Sequence, residues 1–195
     1  MRKVRVLILA IAAGGLLTQQ ASHSAPAAEQ PENARGPQYD VQGRLVRPQN
    51  YREWIYLSSG LGMAYSPNPS APPAFTNVFV EPGAYRAFTA RGRWPDKTIF
   101  VLEERAAASK GSINKGGHFQ TDLQGIAAAV KDENHFPEKW AYFNFGLRAE
   151  SAPANPKEAC WQCHNQHGAV DNTFVQFYPT LKPIAMKFGT YKPRE

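Results

Sequence analysis

Cys160 and Cys163 are the two cysteines of the chain, three residues apart in "ACWQCHNQHG" (159–168), with His164 directly behind the second. Three chemistries use such a pair: a dithiol redox centre, half of a zinc site, or attachment of a c-type haem. Zinc requires four ligands, normally from a second Cys or His pair, and no second cysteine pair exists. A thioredoxin-like dithiol belongs in a βαβ context, whereas this motif follows Pro153 and Pro156 near the C-terminus. A disulfide between residues three apart closes a ring too small to add much. C-x-x-C-H has its own physical logic. Cysteines one helical turn apart reach the two vinyl groups of one haem, and the next residue presents its imidazole to the iron from the same side. The expectation is one covalently bound haem c, anchored by Cys160 and Cys163, with His164 as the axial iron ligand.

The other axial position separates electron carriers from sites open to small molecules. A carrier would use Met63, Met186, His118, His135 or His167. Met63 lies in the Gly-containing "SGLGMAYS", and Met186 lies beyond the last strong core pattern. His118 and His135 sit in loop-like "NKGGHFQ" and "DENHFP", and His167 is too near His164 in the chain to reach the opposite haem face. An open iron is the expectation, with a six-coordinate electron-transfer cytochrome c as the alternative and gas binding without turnover as a third reading. Glu103 and Glu104 are candidate carboxylates for moving substrate protons; a solvated strand end would serve equally as their setting. Phe75, Phe79, Phe100, Phe119, Phe143 and Phe145 are available to line a dry pocket or to fill a core.

These residues need a scaffold. "FTNVFVE" (75–81), "TIFVLEE" (98–104) and "KWAYFNFG" (139–146) read as strands. In the first, Phe75, Asn77 and Phe79 share one face, and Thr76, Val78 and Val80 the other. In the last, Trp140, Tyr142 and Asn144 oppose Ala141, Phe143 and Phe145. "PGAYRAFTARG" (82–92) suits a short helix, with Pro82 at its start and Gly92 past its end. "LQGIAAAVKD" (123–132) is ambiguous, its alanines favouring helix and Gly125 interrupting one. "SPNPSAPPA" (66–74) holds four prolines in nine residues and must be a loop. The fold class is α+β: a largely antiparallel β-sheet with short helices.

At 195 residues and 43% hydrophobic, the chain can build one cored domain. Arg2, Lys3 and Arg5 precede the apolar "VLILAIAAGGLL" (6–17), and "APA" (25–27) supplies small residues for cleavage, so 1–27 reads as a signal peptide. A polar linker follows over 28–49, and the domain occupies 50–190, with order beginning near "YREW" (51–54). The destination is a bacterial periplasm. Loss of the three basic leader residues takes the formal charge from +6 to +3. No run of Lys or Arg traces a phosphate backbone, so nucleic acid is not an expected partner.

The ordered set "NYREW" (50–54), "NVFVEPGAYRAF" (77–88), "GRWPDKTIFVLE" (92–103), "GIAAAVKD" (125–132), "FPEKWAYFNF" (136–145), "CWQCH" (160–164) and "DNTFVQFYPTL" (171–181) resembles the cytochrome P-460 family, which includes the cytochromes c-prime-beta. The resemblance implies a largely antiparallel β fold with one haem c, usually in a homodimer, and strand for 123–132. It implies a five-coordinate iron with His164 as axial ligand, and a small-molecule ligand or substrate. One branch of the family oxidises hydroxylamine and carries a lysine bond to the haem ring; the other lacks that bond and binds gases such as nitric oxide. A periplasmic redox partner would accompany electron transfer. "TIFVLEE" holds no lysine. Lys97, Lys110 and Lys115 are the nearby candidates, while Arg93 does not supply a neutral amine. An unmodified haem c, and with it gas binding, is therefore favoured over hydroxylamine oxidation.

Overall fold

The computed structural model describes residues 36–64 and 72–193. The expected signal peptide, residues 28–35 of the expected linker and residues 66–71 of the proline loop lie outside the described residues. Among those described, no helix is long and apolar enough to cross a membrane.

The scaffold is a five-stranded antiparallel meander: β2 (Ile55–Leu61), β3 (Ala74–Val80), β4 (Ile99–Ala108), β5 (Phe119–Lys131) and β6 (Trp140–Gly146), each paired with the next. A second, two-stranded sheet pairs β1 (Leu45–Val46) with β7 (Ser151–Ala152). Three short helices complete the domain: α1 (Pro82–Arg91), α2 (Trp161–His167) and α3 (Lys182–Lys187). The fold is α+β, as expected.

Local chemistry explains the elements. In α1, the Glu81 carboxylate accepts the Ala84 N–H at 2.8 Å, and Pro82 occupies the first turn, where no N–H is needed. Gly92 ends the helix in the left-handed region (φ 66°), and its N–H donates to the Phe88 carbonyl at 2.7 Å. The strands obey period-2 alternation, so each separates two chemistries.

One sheet face carries Val80, Phe100, Trp140 and Tyr142 beneath α1 and α3, with Phe88, Trp94, Tyr178 and Leu181 filling the space between. The opposite face carries Val101, Ala128, Val130, Ala141 and Phe143, covered by Leu45, Tyr51 and Ala152. The face assignments read from β3 and β6 hold. Segment 123–132 is strand through Lys131, as the resemblance implied.

The ordered domain starts earlier than the polar composition of 28–49 suggests. Residues 36–49 are not a linker: Tyr39 bridges to Leu45, and Leu45 is fully buried against the sheet and paired with Ala152. The few apolar residues here are too scattered to give a periodic signal, and the segment is held by the burial of Leu45 together with hydrogen bonds from Tyr39 to Asp132 (3.2 Å), from Ser151 to Asp40 (2.8 Å) and from Arg44 to the Ser151 carbonyl (2.7 Å).

Candidate haem site

Cys160 stands at the N-cap position of α2 without a side-chain capping bond, and Cys163 and His164 follow in its first turns. Both thiols are half-buried and free, not joined to each other. Asn155 Nδ2 donates to Cys160 Sγ at 3.4 Å. Among the described residues no group of three or more His, Cys, Asp or Glu is placed to hold a metal ion. The zinc reading therefore has no ligand set here.

His164 is held with its two nitrogens in different roles. Nδ1 lies 3.0 Å from the Asn172 carbonyl oxygen. A carbonyl only accepts, so Nδ1 carries the hydrogen and Nε2 keeps its lone pair. Burial lowers the imidazole pKa to about 4, partly opposed by the hydrogen bond to Asn172, and so keeps the ring neutral. The ring lies between Tyr142 (centroids 4.2 Å apart) and Phe174 (4.4 Å).

The carbonyl that fixes His164 belongs to a tight turn. Asp171 (φ 46°) and Asn172 (φ 60°) are consecutive left-handed residues, and the Thr173 N–H donates to the Val170 carbonyl at 2.9 Å. Thr173 Oγ1 donates to Val170 O at 2.6 Å and accepts Trp94 Nε1–H at 2.9 Å. Tyr142 donates its hydroxyl to the same Asn172 carbonyl at 3.2 Å, and burial pushes the Tyr142 phenol pKa up, so it remains a donor. Gly168 lets α2 approach this turn: a Cβ there would lie 2.5 Å from the His164 oxygen and 2.8 Å from the Thr173 nitrogen.

Beside Tyr142 the sheet offers an apolar face. Val78, Leu102, Ala127 and Asn144 form one cross-strand row, adjacent to the row of buried Val80, Phe100 and Tyr142 and partly buried Ala129. Val78, Leu102 and Ala127 are only half-buried. Two free thiols on one turn, an imidazole with an uncommitted Nε2, and half-open apolar sheet beside it fit a covalently held haem.

The other expected residues are placed as follows. Glu104 is exposed and pairs with Thr76 and Gly125, on the sheet face that carries Tyr142. Glu103 points the other way. It is 3% exposed, and its carboxylate accepts from Tyr51, Arg105 and Arg52, the last at 2.8 and 3.0 Å. It is committed to the layer opposite His164, because adjacent strand residues face opposite ways. Of the six phenylalanines considered, Phe79, Phe143 and Phe145 belong to that opposite layer too. Phe100 is buried among Trp94, Trp140 and Tyr178, and Phe119 is 38% exposed.

Met63 and Met186 are exposed, as are His118 and His167. His135 stacks on Tyr39 at 4.3 Å, and Tyr39 packs with the opposite layer. Lys97 is paired with Asp132, and Lys110 and Lys115 are exposed in the hairpin loop between β4 and β5. Arg93 lines an open cleft of about 410 Å³ with Trp94, Lys131, Lys139, Asn172 and Lys192.

Asn172, Tyr142 and Gly168 were not singled out by sequence reasoning. Asn172 acts through its backbone, which no side-chain motif reports; the Asp171–Asn172 pair, a natural left-handed turn former, was the available signal. The Cytochrome P460 family profile matches residues 48–175, a span that includes the cysteines, His164 and Asn172. No curated protein matches the chain.

Proposed function

This chain belongs to the cytochrome P460 family, a family of haem cytochromes, and on that premise we propose that it is an exported mono-haem cytochrome c whose open iron face takes small nitrogen oxides. Cys160 and Cys163 would hold the haem through thioethers, and His164 would ligate its iron. The observation that carries the reading is the division of labour at His164: Nδ1–H is committed to the Asn172 carbonyl, and burial keeps Nε2 unprotonated for the iron. When bound, the haem supplies a vacant coordination position for nitric oxide or hydroxylamine and a one-electron couple.

The protein residues do the rest. The Asn172 carbonyl, Tyr142 and Phe174 fix the imidazole plane. Val78, Leu102 and Ala127 exclude water from the sheet side of the site. Glu104 is the one of the two candidate carboxylates that shares the face of Tyr142, and as a carboxylate it can accept protons lost by a bound amine. The face of β4 that holds Glu104 also holds Phe100, Leu102 and Ala106, with no lysine to bond a haem ring. That favours gas binding over hydroxylamine oxidation. The residues expected for export, a periplasmic location, a homodimer and a periplasmic redox partner complete the proposal.

Absorption spectra and acid-acetone extraction test it. Haem is expected to stay on the polypeptide, the ferrous protein to be high-spin, and carbon monoxide to bind at once. Haem that extracts completely, or a low-spin spectrum abolished by Met63→Ala or Met186→Ala, overturns it. Peptide mass spectrometry addresses the branch: a haem peptide joined to Lys97, Lys110 or Lys115 returns the protein to hydroxylamine oxidation.

A further inference from the structure

Lys131 ends β5 on the helix-covered side of the sheet, opposite Trp140 of β6. Its side chain is only 9% exposed, and a buried ammonium requires partners. Nζ donates to the Trp94 carbonyl at 2.9 Å and to Asp171 Oδ2 at 2.7 Å, and Glu133 Oε1 lies 3.3 Å away. The second oxygen of Asp171 accepts Trp140 Nε1–H at 3.4 Å. Asp171 is the first of the two left-handed residues, and the next residue, Asn172, offers its carbonyl to His164 Nδ1–H. A left-handed backbone is disfavoured for residues other than glycine, though Asp and Asn tolerate it best, so two in succession need surroundings that hold them.

We propose that Lys131, acting through Asp171, is a positioning residue that sets the strength of the hydrogen bond from His164 Nδ1–H to Asn172, and so the electron donation of the axial ligand. The inference rests on His164 being that ligand. The chain of contacts is short: Lys131 is buried, Asn172 and His164 are half-buried, and the Asp171 side chain is 30% exposed. The ends of two paired strands grip one carboxylate; the carboxylate fixes a turn; the turn aims one carbonyl. A well-aimed acceptor gives the imidazole more imidazolate character and a firmer hold on ferric iron. A loosened acceptor does the reverse. Tyr142, one pleat along β6, donates to the same carbonyl and limits how far it can drift.

The test uses the haem-loaded protein and its Lys131→Met, Asp171→Asn and double variants. Resonance Raman reads the iron–histidine stretch of the ferrous form, and potentiometry reads the midpoint. Each single variant is expected to lower the stretch and raise the midpoint. The double variant should shift no further than the larger single, because both act through one ion pair. Asp171→Asn keeps a residue that tolerates the left-handed backbone, so it carries the test even if Lys131→Met misfolds. An unmoved stretch and midpoint in a folded variant, or additive shifts in the double, overturns the inference. Failure of the underlying reading looks different: His164→Gly would then leave the wild-type stretch in place, and added imidazole would restore nothing.

Discussion

At the scale of single residues, the site is a set of committed polar atoms. His164 offers one nitrogen because the other is already spent on Asn172. That commitment depends on a close approach at Gly168, where a Cβ would meet backbone rather than a flexible side chain. Gly168→Ala is expected to destabilise the domain by about 1–3 kcal/mol, the usual cost of overpacking, read by chemical denaturation. It should also lower haem retention, since α2 must move away from the turn. A substitution with no effect on either measurement would mean the helix has slack that this contact denies. The sequence displayed the anchors, Cys160, Cys163 and His164, in one motif. It hid the holders, because Asn172 works by its carbonyl and Gly168 by its lack of a side chain, and neither property leaves a side-chain pattern.

Elements were legible in proportion to their periodicity. β3 and β6 alternate cleanly and fell on the expected faces. α1 announced both its ends, through Pro82 and Gly92. β5 did not: its alanines face Phe100, Val101 and Leu102 across β4, where small side chains suit the packing but mimic a helix former. α2 and α3, at seven and six residues, are too short to display an amphipathic period. The cap of α1 can be weighed directly. Glu81→Ala removes the acceptor for Ala84 N–H and should cost about 1 kcal/mol, measurable as a lower denaturation midpoint with the haem spectrum unchanged. A variant with wild-type stability would show that water replaces the carboxylate at no loss.

For the molecule as a whole, the β1–β7 pairing decides where the domain begins. Leu45 and Ala152 are paired across more than a hundred residues of chain, a contact no local pattern reports. Leu45→Ala is expected to cost about 2–5 kcal/mol and, with it, protection of residues 36–49 from proteolysis. Unchanged stability and unchanged digestion would restore that segment to a linker. The same layer is tied down by Glu103. Burial alone would raise its pKa, but hydrogen bonds from Tyr51, Arg105 and Arg52 outweigh burial and hold it below the ordinary value of 4.5. The tyrosine answers in kind, pushed up to about 12, first by burial and then by its bond to Glu103. A carboxyl with a depressed folded pKa stabilises fully above its unfolded value, and the contribution is lost as pH falls through the folded one. Acid should therefore loosen the domain, and Glu103→Gln should flatten stability against pH in that window while lowering stability at pH 7. An unaltered pH slope in Glu103→Gln would assign the acid sensitivity to other carboxylates.

Glu103 and Glu104 are neighbours that serve opposite sides of one sheet, and Lys131 and Asp132 repeat the arrangement at the far end of β5. Such pairs make the length of the strand heritable information. One codon lost early in β4 would turn Glu104 towards Tyr51 and bring Glu103 round to the side of His164, exchanging every inward and outward residue beyond it. The hairpin tip between β4 and β5 has no such double duty. Over long divergence, insertions and deletions should gather at residues 109–118 and spare the run from Phe100 to Glu104, whatever happens to the identities of the side chains there.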